Sequence, residues 1–264
     1  MPSIALALKL IAEADCKEGG HVLGSYCRLW LFLSSLVCNF LCTDVGYGSG
    51  ESLLLHLRHP SVPRPAHLTG VTSLEAHYKR SQDKVRHCQE DLGVADNVTL
   101  YHGDAVFHRD PWADASLHNH PLDPEFTGRP YTSILALDCA YHFKTRHEFL
   151  EQSYSALADG GKIALGDICF SFEAGKGVGS FLVRSALTVF GFMPRANMVT
   201  VEQYVEDMYK MGYKEVKVED ISSDVFPGFT EFLGTQGVGW SIFAKIMRRV
   251  VASGAQFVIV SGRR

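Results

Sequence analysis

The stretch Asp44-Val45-Gly46-Tyr47-Gly48-Ser49-Gly50, followed by Glu51-Ser52-Leu53-Leu54-Leu55, limits what this chain can fold into more than any other. It reads as a strand end, a glycine turn and a helix start. Glycine at every second position lets the backbone turn tightly and keeps Cβ atoms away from a ligand. A helix that opens beyond such a turn offers backbone N–H groups to a polar or anionic group. The spacing is G-x-G-x-G, and Glu51 stands where the dinucleotide pattern G-x-G-x-x-G carries its last glycine. An acid just before the first glycine suits a ligand with an ammonium group. The alternative is an ordinary glycine-rich strand-to-helix turn.

From Asp44 onward, strand and helix patterns alternate, as in a parallel sheet covered on both faces. A helix starts at 52–57 and stops in the turn-rich His59-Pro60-Ser61-Val62-Pro63-Arg64-Pro65. Strands are expected at 66–71, 98–102, 131–137, 162–166, 215–221 and 257–261. Helices are expected at 75–92, ending at Gly93, at 146–157, ending in Asp159-Gly160-Gly161, and at 201–211, ending at Gly212. Residues 107–130 hold four prolines and read as a long surface loop. Helical character is expected at 178–190 and over most of 229–252.

The bulk numbers exclude several classes. The 264 residues suit a single domain, 46% are hydrophobic and 20% charged, and the net charge is −4. No basic run exceeds two residues, so nothing points to a nucleic-acid partner. The seven cysteines are scattered, without a CxxC pair, and read as free thiols in a reducing compartment, the cytoplasm. Residues 1–10 lack the basic start of a secretory signal. The apolar run 29–42 has 14 residues, against about 20 for a membrane span, so no stable membrane insertion is expected.

Polar residues recur at the expected strand ends: Asp44, then Thr72 and Ser73, then Gly103 and Asp104, then Asp138. Open α/β sheets bind ligands outside the carboxyl ends of their strands. Each of these residues alone also reads as a turn or cap residue. In series they resemble the class I S-adenosylmethionine-dependent methyltransferases, in their small-molecule branch, over roughly residues 44–167. The resemblance rests on the glycine turn, on Gly70-Val71-Thr72-Ser73 with His77, and on Gly103-Asp104-Ala105. It rests further on Leu137-Asp138-Cys139-Ala140-Tyr141-His142-Phe143 and on 157–165.

The resemblance implies a Rossmann-like α/β fold with a mostly parallel seven-stranded sheet and a small helical cap from 170–200 and 229–252. It implies S-adenosylmethionine as cofactor, held by Asp44, Gly46, Gly48, Gly50, Thr72, Ser73, His77, Gly103, Asp104, Ala105 and Asp138. The implied activity is methyl transfer to oxygen or nitrogen of a small-molecule acceptor, with carbon less favoured. His142 is the candidate base, because histidine titrates near neutrality, and Tyr141 the candidate for orienting the acceptor. Two departures stand out: no acid directly follows the second strand, and His77 replaces the glutamine common in relatives. His108, His118 and His120 lack zinc-site spacing, so no metal is expected. A nicotinamide-dependent oxidoreductase and a non-catalytic methyltransferase-like binding protein are the competing classes.

The strand leading into Asp44 has two rival sequences. One is Phe40-Leu41-Cys42-Thr43; the other is His21-Val22-Leu23, preceded by Glu18-Gly19-Gly20. Joining Leu23 to Asp44 gives His-Val-Leu-Asp-Val-Gly-Tyr-Gly-Ser-Gly, a typical lead-in for the resembled family. Residues 24–43 then read as an insertion foreign to the fold, such as a translated retained intron. The alternative is a genuine helix and strand.

Overall fold

The structure is a computed structural model describing residues 2–26, 50–93, 97–109, 120–125, 128, 130–171, 185, 187–188 and 193–264. Helix α1 (Pro2–Glu13) leads into β1 (His21–Tyr26), and α2 (Glu51–Arg58) precedes β2 (His67–Thr72). Then come α3 (Glu75–Leu92), β3 (Val98–His102), β4 (Tyr131–Leu137), α4 (Arg146–Ala156) and β5 (Leu157–Phe170). The remainder is α5 (Val201–Met211), β6 (Lys214–Asp220), α6 (Ser222–Thr235), α7 (Val238–Ala252) and β7 (Ala255–Arg263).

The strands form one seven-stranded sheet in the order β3-β2-β1-β4-β5-β7-β6. Strands β1 to β5 are parallel, and β7 runs antiparallel to both β5 and β6. Chain order reverses between β1 and β4, which makes their carboxyl ends the switch point where such sheets open a crevice.

The central strands are apolar on both sides because both sheet faces are covered. In β4, Ile134 and Ala136 pack with Phe149 and Leu150 of α4 and Tyr204 and Met208 of α5. Their neighbours Leu135 and Leu137 pack on the other face with Leu10 of α1, Leu53 and Leu57 of α2, and Val85 of α3. Burying each such side chain contributes about 1.5–3 kcal/mol. Edge strand β6 alternates part-buried Val216 and Val218 with exposed charged residues.

Helix boundaries follow local chemistry. Gly93 ends α3 in the left-handed region, at φ 60, with its N–H on the carbonyls of Gln89 and Glu90. Thr200 and Gln203 form a reciprocal capping box at the start of α5.

Three expectations are adjusted. Of the two rival sequences, His21–Tyr26 is the central strand, paired with β2 and β4; residues 40–43 lie outside the described residues. The helical stretch expected at 229–252 starts earlier, at Ser222, and is broken into α6 and α7 where Gly237 takes φ 114. Strand β5 runs past 166 to Phe170, because β7 pairs with it as far as Phe170 and Ala255. The helical character expected at 178–190 falls almost wholly outside the described residues.

Candidate cofactor and acceptor site

Strand register places the carboxyl ends on one level. Tyr26 pairs with Leu137, Thr72 with His102, and Leu137 with Gly166. The residues just beyond are Ser73, Gly103, Asp138 and Asp167, so polar groups line one rim at the switch point. Asp44, Gly46 and Gly48 lie outside the described residues. Asp44 does not directly follow β1: residues 27–43 come between. Gly50 is described and precedes α2 at φ 92, a conformation that favours glycine. A Cβ there would meet the Ser81 backbone at 3.2 Å, so glycine also lets α2 start against α3. As the N-cap residue, Gly50 has no side chain with which to cap this end of α2.

Thr72 is half-buried and Ser73 exposed at the end of β2. His77 lies on the buried face of α3 with Ser81, Val85 and Cys88. The Gly103 N–H donates to the Thr72 carbonyl at 3.0 Å, tying two neighbouring rim turns together. Asp104 is exposed, and its carboxylate accepts from the Val106 N–H at 3.1 Å.

His120 supports this turn from below. Its Nδ1 accepts from the Leu122 N–H at 3.0 Å, which assigns the proton to Nε2, and Nε2 donates to the Asp104 carbonyl at 2.9 Å. Burial lowers its pKa, so the neutral ring that makes both bonds is favoured. His120 is thereby committed to the backbone. Among the described residues, no group of three or more His, Cys, Asp or Glu is placed to hold a metal ion.

Beyond β4 the chain enters a turn at the switch point. Asp138 takes φ 54, a left-handed conformation that aspartate tolerates better than most residues, and its N–H donates to the Gly166 carbonyl at 2.8 Å. A 3-10 turn, Ala140–His142, follows. The Tyr141 hydroxyl donates to the Asp138 carboxylate at 2.7 Å, and the His142 ring lies 3.9 Å from the Tyr141 ring between centroids. Burial raises the Asp138 carboxyl to about 6; the Tyr141 bond works against this rise and the nearby Asp167 charge adds to it.

A buried polar network fixes this turn, and the sequence alone does not reveal it. Asn197 donates to the carbonyls of Tyr141 at 3.0 Å and Phe143 at 2.8 Å, and its side-chain oxygen accepts the Arg146 N–H at 3.0 Å. The Arg146 guanidinium donates to Asp167 at 2.7 Å, to the Asn197 carbonyl at 2.7 Å and to the Ile168 carbonyl at 3.2 Å. It also sits 4.3 Å from the centre of the Tyr204 ring, whose hydroxyl donates to Asp167 at 3.1 Å. Burial opposes the Arg146 charge, but Asp167 outweighs it and holds the pKa above the ordinary value. Arg146 and Asp167 are almost wholly buried and fully hydrogen-bonded, the condition under which such a pair is tolerated.

Next to the turn lies an apolar cavity of about 110 Å³. Phe170, Met193, Phe226, Phe229 and Met247 form much of its wall, and Asp138 and Tyr141 are its polar residues. His142 is not among the described residues that line it. The rim of strand ends and the cavity therefore share Asp138.

No family model matches the chain. The erythromycin 3''-O-methyltransferase of Saccharopolyspora erythraea is 21% identical over 192 residues, 72% of this chain and 55% of that protein. The chain thus spans about half the length of this curated relative. Two solved structures cover nearly the whole chain. Geranyl diphosphate C-methyltransferase from Streptomyces coelicolor, with Mg2+, geranyl diphosphate and S-adenosyl-L-homocysteine, superposes at TM-score 0.66 and 14% identity, covering 99% of this chain and 79% of that one. Phosphoethanolamine N-methyltransferase 2 of Haemonchus contortus, with S-adenosyl-L-methionine, superposes at TM-score 0.66 and 16% identity, covering 98% of this chain and 52% of that one. With its sheet order and its neighbours in agreement, the chain has the Rossmann-like fold of the class I S-adenosylmethionine-dependent methyltransferases.

Proposed function

We propose that this chain transfers a methyl group from S-adenosylmethionine to an oxygen or nitrogen atom of a small-molecule acceptor. The observation that carries the reading is the shared wall: a polar rim at the switch point and an apolar cavity meet at Asp138. The residues present fit the cofactor. The exposed Asp104 carboxylate suits the adenine amine, with Gly103 and Ala105 beside it. Thr72, Ser73 and His77 are the candidates for the ribose, and the start of α2 after Gly50 suits a polar group. Asp44, Gly46 and Gly48 complete the methionine end of this reading.

When bound, the cofactor supplies an electrophilic methyl on a positively charged sulfur. The protein's part is to hold the acceptor atom in line with it and to exclude water. Tyr141 and Asp138 line the acceptor cavity, and His142, its ring tilted against that of Tyr141, is the candidate for moving a proton. The relatives named above methylate oxygen, carbon and nitrogen, so they do not select the acceptor atom. The proposed setting is the cytoplasm: Cys16, Cys88, Cys139 and Cys169 are buried thiols, and no helix among the described residues is long and apolar enough to cross a membrane.

Calorimetry tests the reading. Saturable heat with S-adenosylmethionine and S-adenosylhomocysteine, and none with NADH, is expected. Heat with NADH alone would move the chain to the oxidoreductases. A folded sample silent to all three would make it a non-catalytic scaffold.

A further inference from the structure

We propose that the cavity takes an acceptor with an apolar body and a single amine, and that Asp138 and Tyr141 are the groups that receive the amine. This rests on the methyltransferase reading above and narrows it to a substrate class.

The cavity is surrounded almost entirely by apolar side chains. Phe226, Phe229 and Phe243 on α6 and α7 line it, together with Ile168 and Phe170 at the end of β5 and with Met247 and Val250. Such a wall removes apolar surface from water and offers an acceptor body little else. Among the described residues lining it there is no lysine, arginine or histidine. A phosphate, diphosphate or carboxylate headgroup would enter without a counter-charge, at a heavy desolvation cost. The described wall therefore offers an anionic headgroup no counter-charge.

The polar end of the cavity has the opposite character. Its groups are a carboxyl and the phenol that donates to it. One Asp138 oxygen accepts from Tyr141, and a carboxylate has further lone pairs for a second donor. An ammonium group supplies both that donor and the missing positive charge, and a charge-assisted hydrogen bond is the strong kind. A neutral alcohol supplies only the donor. The backbone adds a reason to regard Asp138 as more than a turn residue: it is one of three non-glycine residues at positive φ among those described, and such positions concentrate at working sites.

The chemistry balances with these groups. The substrate amine arrives as its ammonium, and Asp138 takes one N–H proton. The freed nitrogen lone pair then forms a bond to the methyl carbon of the sulfonium cofactor. The carbon–sulfur bond breaks, its electron pair stays on sulfur, and the product is the N-methylated ammonium with S-adenosylhomocysteine. Burial of Asp138, which raises its proton affinity, makes it a better acceptor for that proton than an exposed aspartate.

The test uses the full chain and three probes of one shape: 2-phenylethylamine, 2-phenylethanol and 2-phenylethyl phosphate. Each is titrated into protein saturated with S-adenosylhomocysteine. The amine is expected to bind roughly ten-fold or more tighter than the alcohol, as for a hydrogen bond to a charged group, and the phosphate not at all. Asp138→Asn, which keeps the shape and still accepts from Tyr141, should remove the amine's advantage over the alcohol. Met247→Trp, which fills the cavity, should weaken amine and alcohol alike while S-adenosylhomocysteine still binds. Equal affinity for amine and alcohol, tighter binding of the phosphate, or an amine preference that survives Asp138→Asn would overturn the proposal. If Asp138→Asn does not fold, the three-probe ranking and Met247→Trp decide alone. Failure of S-adenosylhomocysteine to bind the wild-type chain would instead strike the methyltransferase reading.

Discussion

The Asn197 side-chain amide donates to the main-chain carbonyl of Tyr141 across 3.0 Å, from 56 residues further along the chain. That bond fixes the turn on which Asp138 and Tyr141 meet. Asn197→Ala leaves the carbonyls of Tyr141 and Phe143 and the Arg146 N–H without their partner. Each buried group left so costs about 1–3 kcal/mol. Urea unfolding should register a loss of at least about that size. Methyl transfer should fall further than cofactor affinity, because the turn faces the acceptor; parallel losses would confine Asn197 to stability.

Arg146 and Asp167 form a buried ion pair. Arg146→Met alone should destabilise by about 3–5 kcal/mol, because it strands a buried carboxylate. Adding Asp167→Leu to Arg146→Met should recover much of that loss. Denaturant midpoints of the single and double variants provide the check, and strict additivity would contradict the coupling.

His56 is wholly buried on α2, and burial lowers its pKa from 6.5 to about 4. The folded value lies below the unfolded one, so the unfolded chain takes up this proton first as pH falls. The stability tied to the neutral ring is complete above about pH 6.5 and is lost toward pH 4, by about 3 kcal/mol. Asp138 works in the opposite sense: its raised pKa favours folding most below 3.8, and that contribution fades as pH rises through about 6. Comparing wild type with His56→Leu isolates the histidine. The variant should show a shallower loss of melting temperature between pH 7 and 4.5; identical slopes would refute the assignment.

Asp104→Ala should weaken S-adenosylhomocysteine binding by about 0.5–1.5 kcal/mol if the exposed carboxylate holds the adenine amine. Unchanged affinity would remove it from the site. His142→Ala separates two roles of this ring: a base lowers turnover far more than affinity, a packing residue lowers both.

Removing residues 24–43 joins Leu23 to Asp44 and puts an acid where Gly24 now pairs with Gly70 and Leu135. We propose that these 20 residues are foreign to the fold. The shortened chain should then keep its melting temperature within a few degrees and bind S-adenosylmethionine more tightly. Loss of folding, or weaker binding, would mark the segment as native. Transcript sequencing supplies the independent check.

Much of the framework was legible because it is written locally. The helix Glu75–Leu92 carries an amphipathic pattern and a terminal glycine, β3 alternates apolar and polar residues, and β4 contains an apolar run, so their bounds read directly from the chain. The extent of β5 did not, since its last residues are strand through partners far along the chain: β7, nearly ninety residues later, and Thr200 for Phe170. The rim residues Thr72, Asp104 and Asp138 were legible because strand ends can be counted. The network behind them was not: Asn197 has no local signature, and Arg146 reads as an ordinary first-turn residue of a surface helix. Their roles exist only once α4, β5 and the Arg195–Asn197 turn are brought together. That His21–Tyr26 forms a central strand was also a tertiary matter, visible only in its pairing with β2 and β4.

The place of β7 between β5 and β6 imposes an order on assembly. Each of β2 to β5 can dock on an edge already present as the chain lengthens, since β2 and β4 flank β1 and β3 and β5 extend outward. Strand β6 has no such edge: its partner is β7, which is synthesised later. Until Ala255–Arg263 leaves the ribosome, β6 waits unpaired and the β5 edge stays open. Completing this sheet is thus a long-range insertion of the slow kind. During that wait the nascent protein exposes two strand edges to chaperones or to neighbouring chains.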